Sequence, residues 1–381
     1  MKIAYYMPFK PLGHPNPSGD LVLGTEIYTH LNQAGHDCRL ASRLRCRWIY
    51  LRPLDLLRLL WERHLVVKKL TASPPALWLS YHCYYKAPDL LGSYCAQKLG
   101  IPYVIFQGIY STKRRRTLQT LPGFYLNRRA LQAAAMVITN KRHDEQNLLR
   151  LLPRQRVRYI APGIHTAAFT FSEEERLRLR QSWGVRDEVV IMAAAMFRPG
   201  VKTQSLKTLI HACGELVRKG RRIKVVIAGD GQSRAELQQL GNSLLADSIL
   251  FCGRVPREEL FSLYSGADIF AFPGIEESLG MVYLEAQSCG LPVVAYTDWG
   301  SSEAAIDGRT GLLSPAASPQ LFIDNIDRLV LDAALRKKLG RQAADHVRAN
   351  HELSASYTCL TGILNETAPA FPIIPKPAGI R

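Results

Sequence analysis

Two carboxylates, Glu277 and Glu285, stand with seven residues between them in the stretch ADIFAFPGIEESLGMVYLEAQSCGLP, Ala267 to Pro292. Apolar Ala267 to Phe272 predicts a short buried strand, Pro273 to Glu277 a turn, and Leu279 to Ser288 a helix ended by Gly290 and Pro292. Val293 to Tyr296 resumes as a strand. Ser278 is the expected N-cap, which sets Glu277 beside the free amides of the first turn and Glu285 on the second or third turn. At helical rise the separation is about 12 Å. That suits one carboxylate reaching a sugar ring and the other a ribose, with a diphosphate between them at the helix terminus. Glutamates on a helix are more often solvated surface, so the pair needs support from the rest of the chain.

The elements that would position this pair can be read in order. Lys2 to Met7 predicts a first strand, a loop leads to a helix over Leu21 to Gln33 closed by Gly35, and Asp37 to Ala41 forms a second strand. This is the opening of a parallel α/β sheet, and Gly19 before the helix would let a ligand approach the backbone closely. Further strands are expected over Ala76 to His82, Tyr103 to Gln107, Met136 to Thr139 and Val157 to Ile160, with helices beginning near Pro88 and Lys141. After APGIHTAAF the pattern starts again: a surface helix in FSEEERLRLRQSW, a strand from Val189, a helix over Leu206 to Lys219, then Ile223 to Ala228, Arg234 to Leu245 and Ile249 to Cys252. A chain of 381 residues exceeds one typical core. We therefore expect two domains, 1–165 and 166–353, the first joined by a C-terminal helix near 354–366, and an irregular proline-rich tail over 368–381.

Composition narrows the partners. The longest uninterrupted apolar run, Val189 to Phe197, is far below the roughly 20 residues of a membrane span. The N-terminus enters a strand-like run directly, without the apolar core of a signal peptide, so a cytoplasmic location is expected. The eight cysteines are scattered, with no C-x-x-C pair and no Cys/His spacing suited to zinc. Net charge is +17, and it is confined: residues 1–165 hold 25 Lys and Arg against eight Asp and Glu, whereas 166–381 hold 24 of each. An anionic partner is expected for the first half. Its stretch LDLLRLLWERHLVVKKL is helical in type, too apolar to be wholly exposed, and bordered by arginines: it could pack on the sheet with a basic outer face or lie on an anionic membrane, and partial membrane contact is the favoured reading. A second basic cluster, Lys113 to Arg116, lies in an expected loop. No recognition helix, RNA-binding motif or zinc finger supports a nucleic-acid partner.

RPGVK (Arg198 to Lys202), AGDG (Ala228 to Gly231), FCGRV (Phe251 to Val255), the opening stretch and DGRTGLL (Asp307 to Leu313) occur in an order that resembles the retaining glycosyltransferases of family 4. The resemblance covers roughly residues 1–355 and is looser in the first half. It implies the GT-B fold: two Rossmann-like, doubly wound parallel-sheet domains facing across a cleft, with acceptor on the N-terminal domain and nucleotide sugar on the C-terminal one. It implies that Glu277 contacts donor-sugar hydroxyls, Glu285 the ribose, and Arg198 and Lys202 the diphosphate, where fixed cations stabilise the departing negative charge. Ser278, Leu279, Gly280, Gly231 and Gly19 complete the donor-side set, although Asp230 beside Gly231 reads as structural.

Two features depart from the family pattern. Arg198 and Lys202 have three residues between them where four are common, and Gln107 in IFQG stands where many members carry His. Gln can hydrogen-bond a sugar hydroxyl but cannot become cationic. His82, with Lys113 and Arg114, is the acceptor-side alternative. The expectation is a metal-independent retaining glycosyltransferase that uses a UDP-, GDP- or ADP-sugar and no cofactor. Its acceptor would be a saccharide or lipid-linked sugar of cell-envelope polysaccharide or lipopolysaccharide assembly, met on the cytoplasmic membrane face. A sugar-nucleotide epimerase or phosphorylase of the same fold, or a non-catalytic saccharide- or anion-binding protein, are the alternatives.

Overall fold

The computed structural model describes residues 1–15 and 19–368. Most of the expected tail therefore lies outside the described residues. The chain divides into two compact units, one of Met1–Ile160 with the chain from Tyr357 onward, the other of Ala161–Ser356. The division falls a few residues from the expected boundaries at 165 and 354.

The first unit contains β1 (Lys2–Tyr6), β2 (Asp37–Ser42), β3 (Leu77–Cys83), β4 (Tyr103–Gly108), β5 (Met136–Thr139) and β6 (Val157–Tyr159). They form one parallel sheet in the order β2-β1-β3-β4-β5-β6. Every residue of β3 and β4 is buried, the signature of central parallel strands covered by helices on both faces. The helix Pro53–Thr71 begins with proline, whose absent N–H costs nothing in a first turn, and ends with Lys68 and Lys69 at its negative pole.

The second unit repeats the plan with β7 (Val189–Ala194), β8 (Ile223–Ala228), β9 (Ile249–Gly253), β10 (Ile269–Ala271), β11 (Val293–Tyr296) and β12 (Gly311–Ser314). Their order is β12-β11-β10-β7-β8-β9, all parallel. FSEEER forms the expected surface helix, Glu173–Ser182, and Ser172 Oγ caps it by accepting from Glu175 N at 3.3 Å. Arg176 and Arg180 then fix this helix to the sheet through Asp268, at 2.7 and 2.8 Å, and the same carboxylate accepts from Val190 N at 2.8 Å. Burial pushes the Asp268 carboxyl up, but the Val190 amide and the two guanidinium groups outweigh it and hold it below the ordinary range.

Several boundaries differ from those the sequence suggests. β10 is three residues rather than six, and the helix expected from Leu206 begins earlier, at Val201. The helix expected from Leu279 begins at Met281. Ser278 is not its N-cap. Gly280 holds that position in the left-handed conformation (φ +69°), and a Cβ there would press on the Gly300 carbonyl.

Candidate functional site

In each sheet the strand order reverses once, and in the second unit the reversal lies between β7 and β10. Open parallel sheets bind ligands at such a switch point, outside the carboxyl ends of the strands. The loop after β7 carries Arg198 and leads into the helix Val201–Arg218, and the loop after β10 carries Glu277. Lys202, on the first turn of that helix, forms an ion pair with Glu277, and its ammonium lies 5.5 Å from the centre of the Phe272 ring. Both side chains are largely shielded, at 25% and 18% exposure. Arg198 is exposed. Its carbonyl accepts from Thr203 N and Oγ1, so RPGVK folds onto the helix start rather than preceding it by a turn.

Glu277 is therefore in a turn, not on the helix, and the helical rise does not set its distance from Glu285. What sets it is a laced loop. Ile275 N donates to Ser205 Oγ at 3.0 Å, Gly300 N to the Glu277 carbonyl at 3.0 Å, and Tyr296 N to the Pro273 carbonyl at 3.1 Å. Tyr283 Oη, from the short helix, donates to the Phe272 carbonyl at 3.0 Å. These bonds tie the Glu277 turn to the end of β11, the loop after it and two helices, which restricts how far its carboxylate can move. Ser278 contributes its N–H to Glu277 Oε1 at 3.1 Å, and Leu279 is buried.

Glu285 is on the helix Met281–Ser288 and is 3% exposed. Arg257 Nε donates to its Oε1 at 2.8 Å and Tyr264 Oη to its Oε2 at 3.3 Å. Burial pushes the carboxyl up, against the opposing pull of Arg257 and Tyr264. Each oxygen retains a further lone pair. Gly231 has φ +152° and packs against the Phe197 backbone, where any side chain would collide with the Phe197 carbonyl. Gly19, by contrast, is exposed at the start of the helix Gly19–Gln33, and none of the described residues lies where its Cβ would stand.

In the first unit the register of β3 and β4, Tyr81 with Phe106 and Cys83 with Gly108, sets His82 level with Gln107. Both residues are left-handed, at φ +64° and +62°, a rare conformation for side chains of this size. Gln107 Nε2 donates to Asn140 Oδ1 at 3.2 Å, while its Oε1 is buried without a hydrogen-bond partner among the described residues. His82 Nδ1 lies 3.1 Å from Asp20 Oδ1, out of line for a straight hydrogen bond, and its ring stacks on Tyr84 at 4.8 Å. Burial pushes Asp20 up, but the His82 contact, Lys141 and Lys10 hold its carboxyl below the ordinary range. Lys113 and Arg114 lie on an exposed 3-10 turn, Thr112–Arg115, where a plain loop was expected. The structure thus brings Lys202 to Glu277 and His82 level with Gln107, while Lys113 and Arg114 stand on a separate turn. Sequence reasoning missed Arg257, Tyr264, Ser205 and Gly300 in the second unit and Asp20 and Asn140 in the first. Among these only Arg257 offered a signal, as a cation shortly after FCGRV.

Residues 178–346 match the family described as glycosyl transferases group 1. The alpha-D-kanosaminyltransferase of Streptomyces kanamyceticus is 31% identical over 61% of this chain and 60% of its own length. A GDP-mannose-dependent alpha-(1-6)-phosphatidylinositol monomannoside mannosyltransferase of Mycolicibacterium smegmatis is 31% identical over 49% of this chain and 50% of its own. The matched stretches thus span between half and three fifths of these curated relatives. Anabaena HepE, solved in complex with UDP, is similar in structure over 96% of this chain and 100% of that one, with a TM-score of 0.74 at 18% identity. That likeness is one of fold, and the fold is GT-B, as the sequence resemblance implied. The match to the family described as glycosyl transferases group 1 is confined to residues 178–346, less than half of the chain.

Proposed function

We propose that the protein is a metal-independent retaining glycosyltransferase that moves a hexosyl group from a nucleotide sugar to a saccharide or lipid-linked acceptor. The observation that carries this reading is the meeting of Lys202 and Glu277 at the switch point of the second sheet, within the matched family segment. A cation for the diphosphate and a carboxylate for sugar hydroxyls are held together by the loop that follows β10 and the helix that follows β7. In the reaction proposed, the acceptor oxygen bonds to the anomeric carbon as the bond to the diphosphate breaks on the same face, and the acceptor proton passes to the departing phosphate oxygen. Lys202 and Arg198 balance the charge that grows on that oxygen. Glu285 accepts from the ribose hydroxyls through its free lone pairs, and Glu277 orients the sugar. The relatives named as transferring mannose from GDP-mannose, and the UDP complex of a structural neighbour, support a nucleoside diphosphate sugar as donor.

The acceptor is assigned to the first unit, with Gln107 and His82 at its strand ends. We further propose peripheral attachment to an anionic membrane, on the cytoplasmic face. The helix Pro53–Thr71 exposes Leu54, Leu57, Leu60 and Trp61 at 59–75%, and Arg52 and Arg58 are exposed beside them. Among the described residues no helix is long and apolar enough to cross a membrane.

The test is a screen of UDP, GDP, ADP and their sugars for thermal stabilisation, followed by product analysis with and without candidate acceptors, with and without chelator. Transfer with retained anomeric configuration in the presence of chelator is the expected result. Conversion of the nucleotide sugar without acceptor would indicate an epimerase, and binding without turnover of any sugar would indicate a binding protein.

A further inference from the structure

The first unit also has a switch point, between β1 and β3. The loops that leave β1, β2, β3 and β4 are knitted together beside it. Cys46 N donates to the Pro8 carbonyl at 2.7 Å, Arg45 Nε to the Phe9 carbonyl at 3.1 Å, and Trp48 N to the Lys86 carbonyl at 2.6 Å. These loops carry a continuous run of rings. Phe9 meets His82 and Tyr84, Tyr84 meets Tyr85, Tyr85 meets Trp48, and Trp48 meets Tyr50, with centroids 5.3–5.9 Å apart. Phe9, Tyr84, Tyr85, Trp48 and Tyr50 are all half-buried, so each packs one part and offers another to solvent.

Cations are mounted on these rings. The Arg114 guanidinium lies 4.5 Å from the centre of Tyr85, and the Lys86 ammonium lies 5.6 Å from Tyr85 and 5.8 Å from Trp48. A guanidinium resting on a ring keeps its donors free at its edge while its plane is held. Among the described residues no carboxylate forms an ion pair with Arg45, Arg47, Lys86, Arg114, Arg115 or Arg116. Arg45 shows the consequence: burial and then the like charges of Arg47 and Arg52 lower its pKa. Backbone strain gathers here too. Of the five non-glycine residues with positive φ among the described residues, Trp48 (+56°), His82 and Gln107 all stand at this edge of the first sheet. Such strain persists where surrounding structure over-determines a site.

We propose that this ledge, from His82 to Arg114, binds a saccharide bearing negative charge, as phosphate or carboxylate, and that the acceptor of the proposed reaction is of this class. Ring faces stack on the C–H faces of pyranose rings, and unpaired cations between them take the anionic groups. The inference rests on the transferase reading for the word acceptor, while the ledge as a site for anionic sugar stands on the first unit alone. A flexible single strand of nucleic acid would also meet rings and cations. The saccharide is favoured because these rings touch one another at tilted angles of 66° to 87°, apart from the stacked His82–Tyr84 pair, and so are not set parallel as a platform for successive stacked bases.

Calorimetric titration of the full chain with hexagalacturonate, phosphorylated maltohexaose, neutral maltohexaose and a six-nucleotide thymidine strand tests this. Expected is binding of one or both anionic glycans at least tenfold tighter than the neutral one, weakening as salt rises. The tighter of the two identifies the anionic group. Lys86→Ala with Arg114→Ala should weaken that binding about tenfold or more, by the scale of two charge-assisted hydrogen bonds. Arg114 is exposed and Lys86 half-buried, and an unchanged urea midpoint in the double variant confirms that folding is intact. Equal affinity for neutral and anionic glycans, unchanged affinity in a folded double variant, or tighter binding of the thymidine strand would overturn the proposal. UDP, GDP and ADP titrated in parallel report on the proposed donor site. Loss of nucleotide binding with retained glycan binding would count against the transferase reading and leave the ledge standing.

Discussion

Glu285→Gln separates a structural role from a binding role at the most buried carboxylate of the proposed donor site. The side chain is nearly isosteric, so packing against the second sheet is kept. What is lost is one charge, already opposed by burial, and its bond to Arg257. Arg257 is 46% exposed and can be solvated when released, so the loss should fall near the 1 kcal/mol of a screened pair rather than the roughly 3–5 kcal/mol of a fully buried one. Binding should respond more strongly. A hydrogen bond from a ribose hydroxyl to a carboxylate contributes about 1.5–3 kcal/mol, so loss of the charge predicts a Kd for the cognate nucleoside diphosphate raised about 10- to 100-fold. Calorimetry with the ribonucleotide and its 3′-deoxy analogue isolates the contact. Wild type should prefer the ribonucleotide, and the variant should lose most of that preference. The pH dependence carries the same sign. Because the folded pKa is raised, protonated Glu285 favours the folded state, and its contribution is full below the unfolded value near 4.5 and lost as pH rises through the folded value. Nucleotide affinity should run the other way and fall as pH drops through that folded value. If the variant keeps the wild-type ratio between ribo- and deoxynucleotide, Glu285 does not hold the ribose.

Glu277→Gln should lower turnover by an order of magnitude or more while leaving nucleoside diphosphate affinity within a few-fold of wild type, because its proposed contact is the sugar; steady-state kinetics beside calorimetry with the free diphosphate decides it. Lys202→Ala should weaken the diphosphate and the sugar nucleotide together, and near-normal affinity for both would remove Lys202 from the site. Asp268→Asn breaks two guanidinium contacts and should destabilise the second unit by about 3 kcal/mol at neutral pH in chemical denaturation. Its folded pKa is depressed, so the stability it contributes is present above the unfolded value of about 3.8 and is lost as pH falls through the lower folded value. The difference between wild type and variant should therefore shrink in acid. Leu57→Ser with Trp61→Ser, both exposed, should abolish sedimentation with anionic vesicles at low salt without moving the melting temperature by more than a few degrees.

Much of the sheet architecture was legible because parallel strands buried on both faces read as short apolar runs between glycine and proline. The strands expected over Val189 to Ala195 and Ile223 to Ala228 show this: the first ends one residue earlier, at Ala194, and the second has the expected bounds. The start of the Glu285 helix was not legible. Ser278 has the chemistry of an N-cap, yet the backbone is set by the approach of Gly280 to the Gly300 carbonyl, a contact between loops that local propensity does not encode. The pairing of Glu285 with Arg257 and the level placement of His82 and Gln107 were hidden for a related reason. Both depend on which strands become neighbours, and strand order is decided by packing across the sheet.

Charge shows how a sequence signal can be right in sign and still need the structure to give it meaning. The second half is neutral, and its fold uses cations internally: Arg176 and Arg180 hold Asp268, Arg221 grips Asp327 at 2.6 Å, Lys202 meets Glu277 and Arg257 meets Glu285. Its neutrality is therefore the result of local pairing. In the first half the carboxylates are too few for that, and some are committed elsewhere. Asp89 is buried among Ser80, Tyr103 and two backbone amides. The cations left over are not scattered evenly; a group of them is mounted on the rings beside the β1–β3 switch point. Cation–π contact with the rings holds Lys86 and Arg114 in place while leaving their N–H donors free for an anion. On the two proposals above, the excess charge bears on what the first unit binds, and the carboxylates of the second unit bear on what is transferred.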